Sequence, residues 1–348
     1  MQKKIILSFV VILCLALDVK SQPYFVRAAC YWTSPVMNLA EAKNLSHYQI
    51  LIVDEENLFN NPESLELVKK LNSKIELIIY SNPMEIFEPM VKPRPWQKAI
   101  ANEIKEKYPQ WLLKTSAGEN VVFYPGMIML NISSNCPRIN GKNCVEYLAE
   151  KQLEVLKDTL SNGYFMDNGG ANINWVNNKI DSNNDRISDD STFLNRAWLK
   201  GIDHYLGLIK QGMRKGCIIL ANKGSLDFLD KLDGRMFENW PNTHLGGSKD
   251  GGWHRCMINA TKTGAYTIFL VKQKDLMFGL ASALLTDNVY IAVGQDNSMI
   301  HSEFNYDLGK PLGNASVCQH DSCYFRLYQK GKVEVIPSLR KGIITLYK

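Results

Sequence analysis

Tyr164-Phe165-Met166-Asp167-Asn168-Gly169-Gly170 reads as a short apolar strand that stops at a carboxylate and turns into a glycine loop. Residues 145–160 ahead of it form a helix pattern, with Ala149, Leu153, Leu156 and Leu160 on one stripe and Asn162-Gly163 as its stop. The same grammar returns downstream. Residues 217–221 are strand-like and end at Asn222, residues 226–232 read as a short helix, and residues 235–237 are a strand ending at Glu238. Working outward, strands are expected at 25–31, 48–53 (ending at Asp54-Glu55-Glu56), 75–80, 266–271 and 289–293. Helices are expected at 62–71 with a first-turn proline, at 96–113 with a break near Pro109, at 193–213 and at 276–285. Residues 121–130, with Pro125-Gly126 inside, read as irregular and extended.

Strands that alternate with helices pair in parallel, and eight of them predict a closed (β/α)8 barrel of the α/β class. A doubly wound open sheet is the rival, but no G-x-G-x-x-G or P-loop accompanies it. The barrel is expected over residues 22–300. A β-rich appendage, with strands near 323–327, 333–336 and 343–347, is expected over 301–348.

Residues 1–21 carry a leader pattern: Lys3 and Lys4, an apolar run over 5–17, then Val19 and Ser21 ahead of a cut before Gln22. The expectation is a secreted, extracellular or periplasmic protein with no membrane span after cleavage, because 13 apolar residues are too few to cross a bilayer comfortably. Cleavage lowers the net charge from +5 to +3, and no polybasic run points to nucleic acid. Seven cysteines remain. Cys136 with Cys144 and Cys318 with Cys323 are close enough to staple loops, while Cys30 and Cys217 read as small core residues. Acceptor sequons stand at Asn44, Asn131, Asn259 and Asn314.

Working residues of such barrels lie at the C-terminal ends of strands. That rule selects Trp32, Asp54, Tyr80, Asp167, Asn222, Glu238 and Trp240. Two carboxylates among amides and aromatics are what glycosidic cleavage uses: one protonates the leaving oxygen, the other attacks the sugar or activates water. Asp167 and Glu238 are the candidate catalytic pair, and the rest are candidate sugar-binding groups. No cofactor is implied. Asp181, Asn183, Asp185 and Asp189 have calcium-loop spacing, but Arg186 replaces the needed glycine and Thr192 the final carboxylate, so an acidic solvated loop is expected and no metal. His244 and His254 flank a glycine-rich loop that reads as a lid. No H-E-x-x-H or G-x-S-x-G supports a zinc peptidase or serine hydrolase.

A set of short features in order resembles the hypothetical glycosyl hydrolase 15 family of barrel glycosidases. They are Trp111-Leu112-Leu113 before Gly118, Met129-Leu130-Asn131-Ile132-Ser133, Gly163 through Asn168, the Asp181–Asp185 loop, Met236-Phe237-Glu238, and Asp307 through Gly313, with Tyr324-Phe325-Arg326 and Lys330 through Val333 as the terminal β element. Departures are Asn162-Gly163 directly before the strand, Arg186, and Ile336-Pro337. The resemblance implies a barrel acting on a carbohydrate substrate, with Asp167 and Glu238 as the acid pair and Asn131 as a neighbour in the pocket. The competing reading is a catalytically silent sugar-binding barrel that relies on Trp32, Trp175, Trp240 and Trp253.

Overall fold

The computed structural model describes residues 26–87, 93–123, 125–241, 252–318 and 323–348. The leader and most of the His244 loop lie outside these. Eight strands form one parallel sheet: β1 (Ala29–Trp32), β2 (Ile50–Asp54), β3 (Glu76–Ser81), β4 (Gly163–Met166), β5 (Ile218–Asn222), β6 (Gly234–Phe237), β7 (Thr267–Val271) and β8 (Val289–Val293). Each pairs with the next in chain order. Bridges from Ala28 to Ile291 and from Tyr31 to Gln295 bring the first strand against the last, so the sheet curls into a nearly closed barrel. The eight expected strands are all present, within a few residues of their predicted ends.

Period-two alternation sorts each strand into an inner and an outer face. Ala29, Tyr31, Ile50, Ile52, Ile78, Phe165, Leu220, Met236, Ile268 and Ala292 fill the barrel interior as one cluster. The alternate residues, such as Leu51, Val53, Tyr164 and Ala221, face the helices. Those helices are α1 (Leu39–Leu45), α2 (Pro62–Leu71), α3 (Pro95–Lys107), α4 (Cys144–Leu156), α5 (Ser191–Gly212), α6 (Trp253–Ala260) and α7 (Leu276–Leu284). Asn143 starts α4 through a reciprocal capping box with Glu146, and Asp190 caps α5 by accepting the N–H groups of Thr192 and Phe193.

The expected helix at 226–232 is absent; that connection is a run of turns. Phe228 takes a left-handed φ of 57°, which a helix cannot continue through, and its apolar neighbours Leu226 and Leu229 are exposed. Between β3 and β4 the chain makes a long excursion. Within it Glu85–Phe87 pairs with Met127–Met129, and Lys114–Thr115 reaches forward to pair with Ile180–Asp181. These short elements carry too few residues for a sequence period to show.

After the barrel, β9 (Ser316–Val317), β10 (Tyr324–Tyr328), β11 (Gly331–Ile336) and β12 (Lys341–Leu346) form an antiparallel sheet. The Cys318–Cys323 disulfide links its first two strands. The sheet lies on α7: Val333, Val335 and Tyr328 join Phe278, Leu280 and Leu284 in one cluster. Gly342 is required there, since a Cβ would stand 2.2 Å from the Met277 carbonyl oxygen. Cys136 and Cys144, the other suggested staple, are both buried and unbonded. Cys30 is a buried core thiol as expected, and Cys217 is half-buried. Among the described residues no helix is long and apolar enough to cross a membrane.

Candidate active site

Inward parity continues past the strand ends. Asp54 follows Ile50 and Ile52, Tyr80 follows Ile78, Asp167 follows Phe165, Asn222 follows Leu220, and Glu238 follows Met236. Five polar side chains therefore converge on the C-terminal mouth. Beneath them lies an aromatic floor in which Tyr31 and Tyr80 both pack on Phe165, with ring centroids 5.6 and 6.0 Å away.

Asn222 is the centre of the cluster. Its Nδ2 donates to Asp167 Oδ1 at 2.9 Å and to Glu238 Oε2 at 2.7 Å. Its Oδ1 accepts the backbone N–H of Lys223 at 2.8 Å, which fixes the amide so that the NH2 faces the acids. Tyr80 donates its hydroxyl to Asp167 Oδ2 at 2.8 Å, and the Asn168 N–H donates to Oδ1 at 2.7 Å. Burial pushes the Glu238 carboxyl up; the Asn222 hydrogen bond opposes this and the neighbouring Asp167 adds to it. Burial also raises the Tyr31 and Tyr80 phenols well above their ordinary value, helped by the Asp167 charge, so both stay neutral donors.

The backbone turns away sharply at each of these positions. Asn168, Lys223 and Asn239, the residues after Asp167, Asn222 and Glu238, have φ of 53°, 92° and 53°. Left-handed non-glycine residues cost energy, and their clustering at one end of three adjacent strands marks a site built under constraint. Arg235, fully buried on the outer face of β6, ties the loops together. Its guanidinium donates to the Gly169 carbonyl at 3.2 Å, the Lys223 carbonyl at 3.0 Å and the Asp227 carbonyl. Burial lowers its pKa to about 10, which leaves it charged.

Four candidate sugar-binding residues do not stand free in this cluster. Trp32 has the opposite parity to Tyr31: it is buried on the helix side of β1 and its indole N–H donates to the Val36 carbonyl. Asp54 points inward but is fully buried, with Oδ2 in a 2.6 Å ion pair with Arg94 and Oδ1 accepting the Glu56 N–H. Asn131 is buried too; its amide donates to the Ser182 carbonyl and accepts from the Ser133 hydroxyl, so it braces a loop. Trp240 leaves the strand after the left-handed Asn239 and folds back into the core, stacked on Phe269 with centroids 4.6 Å apart. Of the other tryptophans, Trp253 is buried against Ser282, while Trp175 is 55% exposed. In the acidic loop, Asp181 accepts the N–H groups of Asp185 and Arg186, and Asp189 accepts that of Ser182. These carboxylates serve the loop's own backbone.

A family model described as hypothetical glycosyl hydrolase family 15 matches residues 69–332. The chain belongs to that family. The match spans β3 through the start of β11 and so includes Asp167, Asn222 and Glu238. No curated protein matches the chain. Among solved structures, the cyclic alpha-maltosyl-(1→6)-maltose hydrolase of Arthrobacter globiformis is similar with a TM-score of 0.45 at 11% identity, over 93% of this chain and 96% of that one. The chitobiase of Flavobacterium johnsoniae has a TM-score of 0.42 at 11% identity, over 81% of this chain and 43% of its own. The family is described as one of hypothetical glycosyl hydrolases, and the barrel of this member is the architecture its sequence implies.

Proposed function

We propose that this member is a secreted glycoside hydrolase that works with net retention, with Asp167 as nucleophile and Glu238 as general acid and base. One observation carries the reading: a single Asn222 nitrogen holds both carboxylates. Bonds of 2.9 and 2.7 Å from one atom, opening at the angle of an amide NH2, put the two oxygens about 5 Å apart. Retaining pairs stand about 5–5.5 Å apart; inverting pairs need about 6.5–9.5 Å to admit a water. Glu238, with its raised pKa, would protonate the leaving glycosidic oxygen as Asp167 attacks the anomeric carbon. The resulting glycosyl ester is cleaved by water, which gives its proton to the ionised Glu238 and restores Asp167. Tyr80, Asn222 and Asn168 all donate to Asp167, and Oδ2, with one donor against two on Oδ1, is the oxygen with a lone pair to spare. Secretion rests on the leader pattern of residues 1–21.

The test is hydrolysis of a broad glycan panel by the chain from Gln22 onward, beside Asp167→Asn and Glu238→Gln. Both variants are expected to lose at least about a thousandfold in rate on the glycan that is cut, and the first product should keep its anomeric configuration by NMR. An inverted product would remove the nucleophile role. Full activity in either variant would remove the pair.

A further inference from the structure

Trp175 stands on the loop that leaves β4 after Asp167, and among the described residues it is the one exposed tryptophan, at 55%. A lone exposed apolar side chain is ordinary. This one is held in place. Its indole N–H donates to the Asn172 carbonyl at 3.1 Å. Two residues earlier, Ile173 is fully buried in the core between the barrel and its helices. Asn195 of α5 accepts the N–H groups of Ile173 and Asn174 at 2.9 and 3.3 Å and donates to the Asn174 amide oxygen at 3.0 Å. Phe123, from the excursion between β3 and β4, meets the indole at 82° with ring centroids 5.1 Å apart. In a perpendicular contact the edge of one ring meets the face of the other, so at most one face of Trp175 is covered.

The same loop is tied to the catalytic cluster. Asn172 Oδ1 accepts the Lys223 ammonium at 3.2 Å, and the Lys223 N–H is the donor that fixes the Asn222 amide. Gly169 and Gly170 pack against the end of β5. A Cβ on the first would stand 2.7 Å from Ala221 Cβ, and one on the second 2.4 Å from Lys223 Nζ. Consecutive contacts therefore run from Trp175 through Asn172, Lys223 and Asn222 to both carboxylates. Eight extended residues could carry Trp175 about 28 Å from Asp167. These contacts fold the loop back instead and hold the indole at the same end of the barrel as the acids.

A flat apolar face matches the face of a sugar ring, where C–H bonds point outward and the hydroxyls lie around the edge. The exposed amides of Asn172 and Asn174 beside it offer both donors and acceptors to such hydroxyls. We propose that Trp175 is an outer subsite, a stacking platform for a sugar ring of the same chain whose cleaved bond lies at Asp167 and Glu238. This deepens the glycosidase reading and rests on it. The substrate is then an oligo- or polysaccharide rather than a glycoside with a small leaving group, because a chain of rings is what reaches from the acids to the loop. The indole is fixed before the glycan arrives, so stacking costs little ordering of the protein.

The experiment is calorimetric titration of the full chain from Gln22 onward, carrying Glu238→Gln so that the ligands stay uncut, with malto-, cello-, xylo- and chito-oligosaccharides of one to six rings. In the series that binds, affinity is expected to rise about tenfold or more from the shortest binder to the longest. Adding Trp175→Ala should remove that rise and leave the affinity of the shortest binder unchanged, while Trp175→Phe, which keeps a flat ring, should retain most of it. A rise of the same size with Trp175→Ala, or no rise with length when Trp175 is present, would overturn the platform and leave the sugar site at the acids intact. Binding of no oligosaccharide would overturn it as well, and the glycan panel would then show whether the glycosidase reading falls with it. Sedimentation covers the other occupant: a dimer that Trp175→Ala dissociates, with glycan affinity unchanged, would assign the indole to a second copy of this chain instead.

Discussion

Asn222→Ala removes the atom that both carboxylates share, so it tests the site as a unit. Two hydrogen bonds to acidic groups are lost. Such bonds contribute about 1.5–3 kcal/mol each, and at the half-buried Glu238 incoming water offsets part, so the low end applies. For Glu238 that is about one pK unit. The sign follows from the forces on this group: burial and the Asp167 charge push its carboxyl up, and the Asn222 hydrogen bond holds it down. In the alanine variant Glu238 should therefore titrate about one unit higher than in the wild type. Carbon-13 NMR of carboxyl-labelled glutamate, with Glu238→Gln to assign the signal, reads this without any substrate. Once a substrate is known, the alkaline limb of the kcat/KM profile should move up by the same amount, and the rate should fall about a hundredfold as the pair loses its spacing. A Glu238 midpoint that stays put or falls would refute the bridging role of Asn222.

Glu55 and Glu85 are pushed up to about 8 and 7, chiefly by burial, with Asp54 beside the first and Asp167 beside the other. A carboxyl raised in the folded state contributes stability that is complete below its unfolded pKa and lost as pH rises through the folded one. Thermal melts should thus fall from pH 5 to pH 9, and Glu55→Gln, beside Asp54, Glu56 and Arg94, should flatten the decline by on the order of 3 kcal/mol. Arg235→Met strands the carbonyls of Gly169, Lys223 and Asp227, and urea titration should show a loss of about 3 kcal/mol or more, with Arg235→Lys recovering part. Trp240→Ala should cost about 3–5 kcal/mol in the same assay, while Trp240→Phe keeps most of the stability and all of the sugar binding, because the indole is core.

The strand-end rule picked out Asp167, Asn222, Glu238 and Tyr80, which the fold brings into contact, because apolar runs end visibly at a polar residue. It misplaced Trp32 because it read position without parity: the inward residue of β1 is Tyr31, one earlier. Trp240 was out of reach of any such rule, since the left-handed turn at Asn239 decides where it goes. Asn131 sits in a loop whose partner, Ser182, is fifty-one residues away, and no local pattern announces that bond.

Every residue of α7 but Met277 is buried, an unusual state for a barrel helix, which ordinarily shows one side to water. The tail sheet supplies the missing cover, so it is less an added module than the outer wall of the seventh β/α unit. A gene cut after residue 300 would release a barrel with a greasy seam along α7, prone to stick to its own copies. Transplanting this barrel into another protein, or shortening it for crystallisation, has to carry the last forty-eight residues along.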